Sequence, residues 1–303
     1  FTKISTLKTT SSLGEFIKGK IMNKFILTIA LIISMCIAIP SFASDRGTIP
    51  EKEHIEMLYP TVLVRVGRSG SGSGTVIYSE QDENREYKSY VLTNYHVIQS
   101  NVIIKKEWDS EKKERIEIET RRPVNIDLWE YNNFSSAVGT VGRLANIVAY
   151  DKGRDLALLE INDNERQMPY VANIYPEGED DGPWIFQTVY AVGAGLGKPP
   201  FPTVGLLAGY SRDQDGRDLY LASAPIIFGN SGGSLYVYSP RHKYELIGVP
   251  SMVSAYGWGN VVSHMAWSRP ISEIRIFLRD NSYGFILGDE PEVEEEQEKE
   301  FVM

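Results

Sequence analysis

The 303-residue chain holds a single cysteine, Cys36. One thiol cannot form an intramolecular disulfide, so a small cross-linked secreted scaffold is excluded and a buried core has to hold the fold. Histidine is nearly as scarce. The four present, His54, His96, His242 and His264, form no cluster with cysteine or carboxylates at ligand spacing, and no His-Glu-x-x-His helix occurs. No metal site and no cofactor are expected. Clustered positive charge is also missing. Lys105-Lys106, Lys112-Lys113 and Arg115 are interrupted by Glu107, Asp109, Glu111 and Glu114, which reads as a solvated loop and excludes nucleic acid as an expected partner.

Long apolar runs are absent except at residues 25–39. Asn23-Lys24 precede that run and Pro40-Ser41-Phe42-Ala43 follow it, the layout of a signal peptide over 22–43 with small residues suited to cleavage before Ser44. An uncleaved anchor is the alternative, but the run is short for a membrane span. Met35 stands where a lipoprotein motif around Cys36 would need a small residue. An exported protein, periplasmic or extracellular, without cysteine once cleaved, is the expectation. Residues 1–21 read as an upstream non-domain segment, and 44–59 as a lead-in without a legible assembly motif, so no oligomeric state is assigned. The formal charge of -9 owes -7 to residues 289–300, where eight acids face one lysine. So dense a run repels itself and has little apolar surface to bury, so residues 287–303 are expected to be a disordered acidic tail.

Between these ends, short runs of Val, Ile, Leu and Tyr alternate with Gly, Asn, Asp and Pro clusters. The pattern predicts strands at 61–66, 74–78, 88–93, 101–104, 115–119, 136–149, 156–161, 188–192, 205–210, 219–222, 234–238, 246–252 and 261–266. Only 271–278 carries apolar residues at helical spacing, Ile271, Ile274 and Leu278, with Ser272 as a candidate cap. An all-β barrel or sandwich domain over 60–286 with one C-terminal helix follows.

Three segments carry chemistry. Gly229-Asn230-Ser231-Gly232-Gly233 sets a serine among glycines, in a turn tight enough for the Gly229 and Ser231 N–H groups to converge on an oxyanion. Thr93-Asn94-Tyr95-His96 ends an apolar strand on a histidine, and Asp155-Leu156-Ala157-Leu158-Leu159 begins one with an acid. A nucleophile, a general base and an acceptor that fixes the base's tautomer are what acyl transfer by serine requires. Singly, each has a plainer reading as hairpin loop, structural histidine or turn residue.

Their order, His96 then Asp155 then Ser231, resembles the trypsin/chymotrypsin family of serine proteases. The segments Val91 to Ile98, Asp155 to Leu159 and Gly229 to Leu235 are similar in wording to the bacterial HtrA-type members, with weaker echoes at Gly72-Ser73-Gly74 and Gly193-Ala194-Gly195. The resemblance covers about 60–278. It implies two packed six-stranded antiparallel β-barrels, the triad His96, Asp155 and Ser231 in the cleft between them, and protein or peptide substrates for a serine endopeptidase. It also implies a P1 pocket based on Pro225, Ile226, Ile227 and Phe228, with Val249, Ser251 and His264 among the walls. No acid stands at that base, which disfavours cleavage after Arg or Lys and favours small or apolar P1 residues. His264 bound to an acidic P1 residue is the alternative. His54 and His242 are expected to be exposed.

Asn230 stands where trypsin-like zymogens carry an aspartate, so activation by a new N-terminus is not expected. Regulation by the PDZ domain usual in HtrA-type proteins is likewise not expected. The stretch between His96 and Asp155 is long, with the charged segment around 105–122 and the aromatic Trp129-Glu130-Tyr131 read as an insertion of surface-loop character. Two rivals remain. The Gly-x-Ser-x-Gly elbow of α/β-hydrolases fails because a strand pattern follows the serine and no histidine follows His264. A catalytically silent binding or holdase protein on the same fold is the other. Gly193 to Gly197 lacks the context of a nucleotide loop and reads as a turn.

Overall fold

Leu156-Ala157-Leu158-Leu159-Glu160-Ile161 is apolar at consecutive positions, and a strand can bury such a run only when both of its faces are covered. The computed structural model describes residues 51–67, 70–132, 134–178, 183–257 and 259–290, and there this run is a strand with two buried faces. Ala157, Leu159 and Ile161 point into one core and Leu156 and Leu158 into another. The segments read as upstream sequence, signal peptide and most of the acidic tail lie outside the described residues.

Six strands close the first barrel in the order β1 (Thr61–Val66), β2 (Gly70–Gln81), β3 (Tyr87–Thr93), β8 (Leu156–Ile161), β7 (Ser136–Asp151) and β6 (Val124–Asn132). Every pairing is antiparallel. Val62, Val64, Val91, Ile126, Ile147 and Leu159 fill its interior, all but Leu159 β-branched residues that suit a pleated, closely packed surface.

The second barrel is likewise antiparallel, in the order β13 (Ser234–Tyr238), β10 (Thr188–Gly193), β11 (Phe201–Arg212), β12 (Asp218–Ala222), β15 (Asn260–Pro270) and β14 (Tyr244–Tyr256), closed by pairing of β13 with β14. A short strand β9 (Asn173–Ile174) lies parallel to β14 at its edge. The helix α3 (Ile271–Asp280) packs Ile271, Ile274, Phe277 and Leu278 on the core that joins the barrels. Leu92 and Leu158 reach that same core from the first barrel. Each such buried leucine contributes about 1.5–3 kcal/mol, and this shared core fixes the cleft at which β3, β8 and β13 end.

Several expectations need correction. Trp129-Glu130-Tyr131 belongs to β6, not to a surface loop. Without β6 the first barrel could not close, since β6 pairs both β1 and β7. Its alternation ends at the register shift between Glu130 and Tyr131, and its face opposite Val124, Ile126 and Leu128 carries a buried Asp127, held by Arg65 at 2.6 Å. The charged segment around 105–122 is an ordered two-stranded hairpin, β4 (Val102–Asp109) with β5 (Glu114–Arg121), that pairs with neither barrel. Pro270, whose φ of -73° suits a helix start, takes the cap position of α3, and no side-chain cap bond forms; Ser272 lies inside the helix. His54 is buried, with Nε2 2.7 Å from Ser135 Oγ and its ring against Tyr59 and Phe134. The turns α1 (Glu51–Glu53) and His54–Leu58 bring it there, and they deliver Met57 and Leu58 to the inter-barrel core.

Candidate active site

β3 runs into Asn94 and the single turn α2 (Tyr95–Ile98), so a rigid strand delivers His96. Asp155 opens β8, the neighbour of β3 in the ladder, with Thr93 paired to Ala157. Register therefore sets the two side chains beside each other. The His96 backbone N–H donates to Asp155 Oδ1 at 2.9 Å, and His96 Nδ1 lies 2.8 Å from Oδ2 and 3.1 Å from Oδ1. An ionised carboxylate only accepts, so Nδ1 carries the proton and Nε2 of the neutral ring presents its lone pair. Ser251 Oγ donates to Asp155 Oδ2 as well. The Asp155 side chain is 17% exposed and that of His96 40%, so the acid is sheltered while the ring reaches solvent.

Asp155 adopts a φ of 54°, a left-handed conformation that aspartate tolerates better than most residues. The loop before it is held by ions. Asp151 Oδ1 accepts the N–H groups of Gly153 (2.7 Å) and Arg154 (2.9 Å), and Oδ2 accepts Arg154 Nη1 at 2.6 Å. From the other barrel, Glu273 accepts Arg154 Nε at 3.0 Å, and Arg269 donates to Asp213 at 2.7 Å and to the Gly153 carbonyl at 3.3 Å. Burial pushes the Asp151 carboxyl up, but the Arg154 backbone and side-chain hydrogen bonds outweigh it and hold the group below its usual value.

The serine turn belongs to the second barrel, just ahead of β13, and Ser73 on β2 ties it to the first. Ser73 N–H donates to the Ser231 carbonyl at 2.7 Å, and its hydroxyl donates to the Gly229 carbonyl at 2.6 Å while accepting the Ala194 N–H at 2.7 Å. Its carbonyl accepts Thr93 Oγ1 at 2.7 Å. Gly232 is required here. At φ +83°, a Cβ would stand 2.2 Å from both the Ser73 carbonyl oxygen and Thr93 Oγ1. Within the turn the N–H groups of Asn230, Gly232 and Gly233 donate to the carbonyls of Ile227, Pro250 and Asn230. Those of Gly229 and Ser231 donate to none among the described residues. They are the two named from sequence as oxyanion donors.

The structure thus brings His96 and Asp155 into direct contact and carries Ser231 to the same cleft through Ser73, Gly232 and Pro250. A bond from Ser231 Oγ to His96 is not made among the described residues; catalytic hydrogen bonds are often long before substrate closes a site. Asn230 is buried, and its Oδ1 accepts the Ile227 N–H at 3.1 Å, a local role that leaves no charge for an α-ammonium.

The residues named for the pocket are placed differently from one another. Ile226 is buried with its N–H on the Ser263 carbonyl, at 2.9 Å, which joins the 225–228 segment to β15 beside His264. Pro225 is exposed and its carbonyl accepts Thr203 Oγ1 at 2.7 Å. Ile227 is half-buried, Phe228 is 70% exposed, and His264 is exposed. Val249 belongs to the inter-barrel core and Ser251 is committed to Asp155. Ser73, Arg154, Arg269 and Glu273 were not legible as site residues, because the partners that tie them across the two barrels are more than a hundred residues away in sequence; Ser73 alone had a signal, its place in the Gly72-Ser73-Gly74 echo.

A family model of the trypsin-like peptidase domain matches residues 72–241, more than half of the chain. The chain belongs to that family. Among solved structures, this trypsin-like peptidase domain is similar to the HtrA-type protease AlgW with a tripeptide, at 19% identity and a TM-score of 0.53, over 78% of this chain and 63% of that one. It is similar also to a serine endoprotease from Yersinia pestis, at 18% identity and a TM-score of 0.50, over 80% of this chain and 68% of that one. The chain therefore spans less than two thirds of the length of AlgW, and at these identities the likeness is one of fold. No curated protein matches the chain in sequence. Among the described residues no group of three or more His, Cys, Asp or Glu side chains could hold a metal, and no helix is long and apolar enough to cross a membrane.

Proposed function

We propose that this trypsin-like domain is an active serine endopeptidase, with Ser231 as nucleophile, His96 as general base and Asp155 as the group that orients the base. The observation that carries the reading is the carboxylate of Asp155 on His96 Nδ1, which leaves Nε2 as the acceptor. In the first half-reaction Ser231 Oγ attacks the scissile carbonyl, its proton passes to His96 Nε2, and the Gly229 and Ser231 N–H groups stabilise the oxyanion. Collapse breaks the C–N bond, His96 returns the proton to the leaving amine, and water repeats the sequence on the acyl-enzyme.

Small or apolar P1 residues fit a base built from Ile226, Ile227 and Phe228 without an acid. Export directed by residues 22–43, to the periplasm or medium, is part of the same reading, as is a protease domain over 60–286. The unmade Ser231–His96 bond is the one observation that favours a silent scaffold. A peptide library digested by the parent and by Ser231→Ala, beside labelling with a serine-directed phosphonate, tests the proposal. Cleavage by the parent alone, with label on Ser231, is expected; no cleavage and no label would overturn it in favour of the silent scaffold.

A further inference from the structure

A two-stranded ribbon in water is marginally stable on its own, yet β4 and β5 extend through eight paired rungs with no third strand. Neither face is buried, and apolar side chains stand in solvent: Trp108 is 63% exposed and Ile104 42%. Mixed charge along the strands explains solubility. It does not explain an exposed tryptophan.

Register shows where that face leads. Val102 pairs with Arg121, Ile104 with Glu119 and Trp108 with Arg115, and residues directly opposite share a face, as do alternate residues along a strand. Trp108 and Ile104 therefore lie on the face that carries Glu119 and Arg121. At the root of the ribbon those two residues bind β7: Arg121 Nη1 donates to the Val148 carbonyl at 2.7 Å, and Tyr150 Oη donates to Glu119 Oε2 at 2.5 Å. Tyr150 stacks on Tyr95, with ring centroids 5.1 Å apart, and Tyr95 is the residue before His96. A path thus runs from the candidate general base through Tyr95, Tyr150 and Glu119 to Ile104, the rung partner of Glu119, and on past the Lys106–Glu117 ion pair (3.2 Å) to Trp108. Four residues separate Ile104 from Trp108, about 13 Å at the rise of a strand.

We propose that this face of the β4–β5 hairpin is an exosite for the polypeptide substrate itself, an extended chain with two apolar side chains about four residues apart outside the scissile region. Continuity with His96 selects this occupant, because the path from the hairpin ends on Tyr95, the residue next to His96. The inference rests on the peptidase reading and deepens it. It assigns Trp108 and Ile104 to substrate selection and requires substrates long enough to reach them, so short peptides are cleaved without their help.

The test uses one cleavage site recovered from the library, synthesised as a peptide of about eight residues and as one of about twenty-four, long enough at ~3.3 Å per residue to reach the Trp108 rung. The parent is compared with the double variant Trp108→Ser, Ile104→Ser and with Ile118→Ser on the opposite, equally exposed face. All three substituted side chains are at least two-fifths exposed, so the fold is expected to survive, as a thermal unfolding midpoint will verify. For the double variant, kcat/KM on the long peptide should fall roughly tenfold through KM, with the short peptide unchanged and Ile118→Ser altering neither. An equal fall on both peptides, no fall on either, or the same fall in Ile118→Ser overturns the exosite. A change of sedimentation in the double variant alone would overturn it too, by assigning the face to a second copy of the chain. If the parent cleaves neither peptide and Ser231 takes no phosphonate, the peptidase reading fails and the exosite with it.

Discussion

Glu273 lies on α3 in the second barrel, yet its carboxylate holds the loop from which Asp155 projects in the first. One oxygen accepts Arg154 Nε at 3.0 Å and the other the Asp218 backbone N–H at 3.0 Å, and the side chain is 9% exposed. Replacement by alanine deletes one partner of a sheltered ion pair, a change that costs about 3–5 kcal/mol when the other charge is stranded. Arg154 is not stranded, because Asp151 still holds Nη1 at 2.6 Å, so the loss is expected to be about 2 kcal/mol. The Asp218 N–H left without an acceptor adds about 1 kcal/mol. Glu273→Ala should therefore cost about 3 kcal/mol, while Glu273→Gln, which keeps an acceptor for Asp218, should cost about 1 kcal/mol. Urea unfolding in a Ser231→Ala background, where self-digestion cannot interfere, measures both. In the active protein the rate of phosphonate labelling at Ser231 should fall for Glu273→Ala at temperatures where the protein is fully folded, because the Asp155 loop loses its anchor to the second barrel. A stability change below about 0.5 kcal/mol, the size expected of an ordinary surface substitution, would refute the argument that the ion cluster clamps the loop.

Ser251→Ala removes one of the hydroxyl and N–H donors on Asp155 and leaves the two from His96. A hydrogen bond to a charged group is worth about 1.5–3 kcal/mol, so kcat/KM should drop roughly tenfold or more with the fold intact; unchanged turnover would show that the hydroxyl does not support the acid. Asp151 and Asp213 both lie below the ordinary aspartate value of 3.8, since hydrogen bonds from Arg154 and Arg269 respectively, with backbone N–H groups, outweigh burial. Depressed carboxyl values add stability that is complete above the unfolded value and is lost as pH falls through the folded ones. The urea midpoint should hold down to about pH 5 and decline below about pH 4, and a midpoint that rises on acidification would contradict the assignment.

Much of this molecule was readable from local pattern, and what was readable had a local cause. The strands at 61–66, 156–161 and 234–238 coincide with β1, β8 and β13 because their apolar runs are long and bounded by turn residues. β6 was missed because its alternation at Val124, Ile126 and Leu128 is short and ends at the register shift between Glu130 and Tyr131, and only the Arg65 partner, 62 residues away, makes a buried Asp127 tolerable. The hairpin at 102–121 was legible only as short strands at 101–104 and 115–119, and the charged segment around 105–122 read as a surface loop, because neither face is buried and charged residues dominate both.

By its own residues the chain determined an all-β body with a terminal helix, a protease domain without cysteine over 60–286, and the order of the candidate residues His96, Asp155 and Ser231, since composition, periodicity and motif spacing are properties of neighbours along the chain. The tertiary structure alone decided that Thr93 pairs with Ala157 and so sets His96 against Asp155, that Ser73 fastens the serine turn to the first barrel, that Ser251 turns to Asp155, and that Glu273 reaches across to Arg154. Those contacts join residues far apart in sequence, and they exist only because closing two barrels on a shared core brings the ends of β3, β8 and β13 to one cleft.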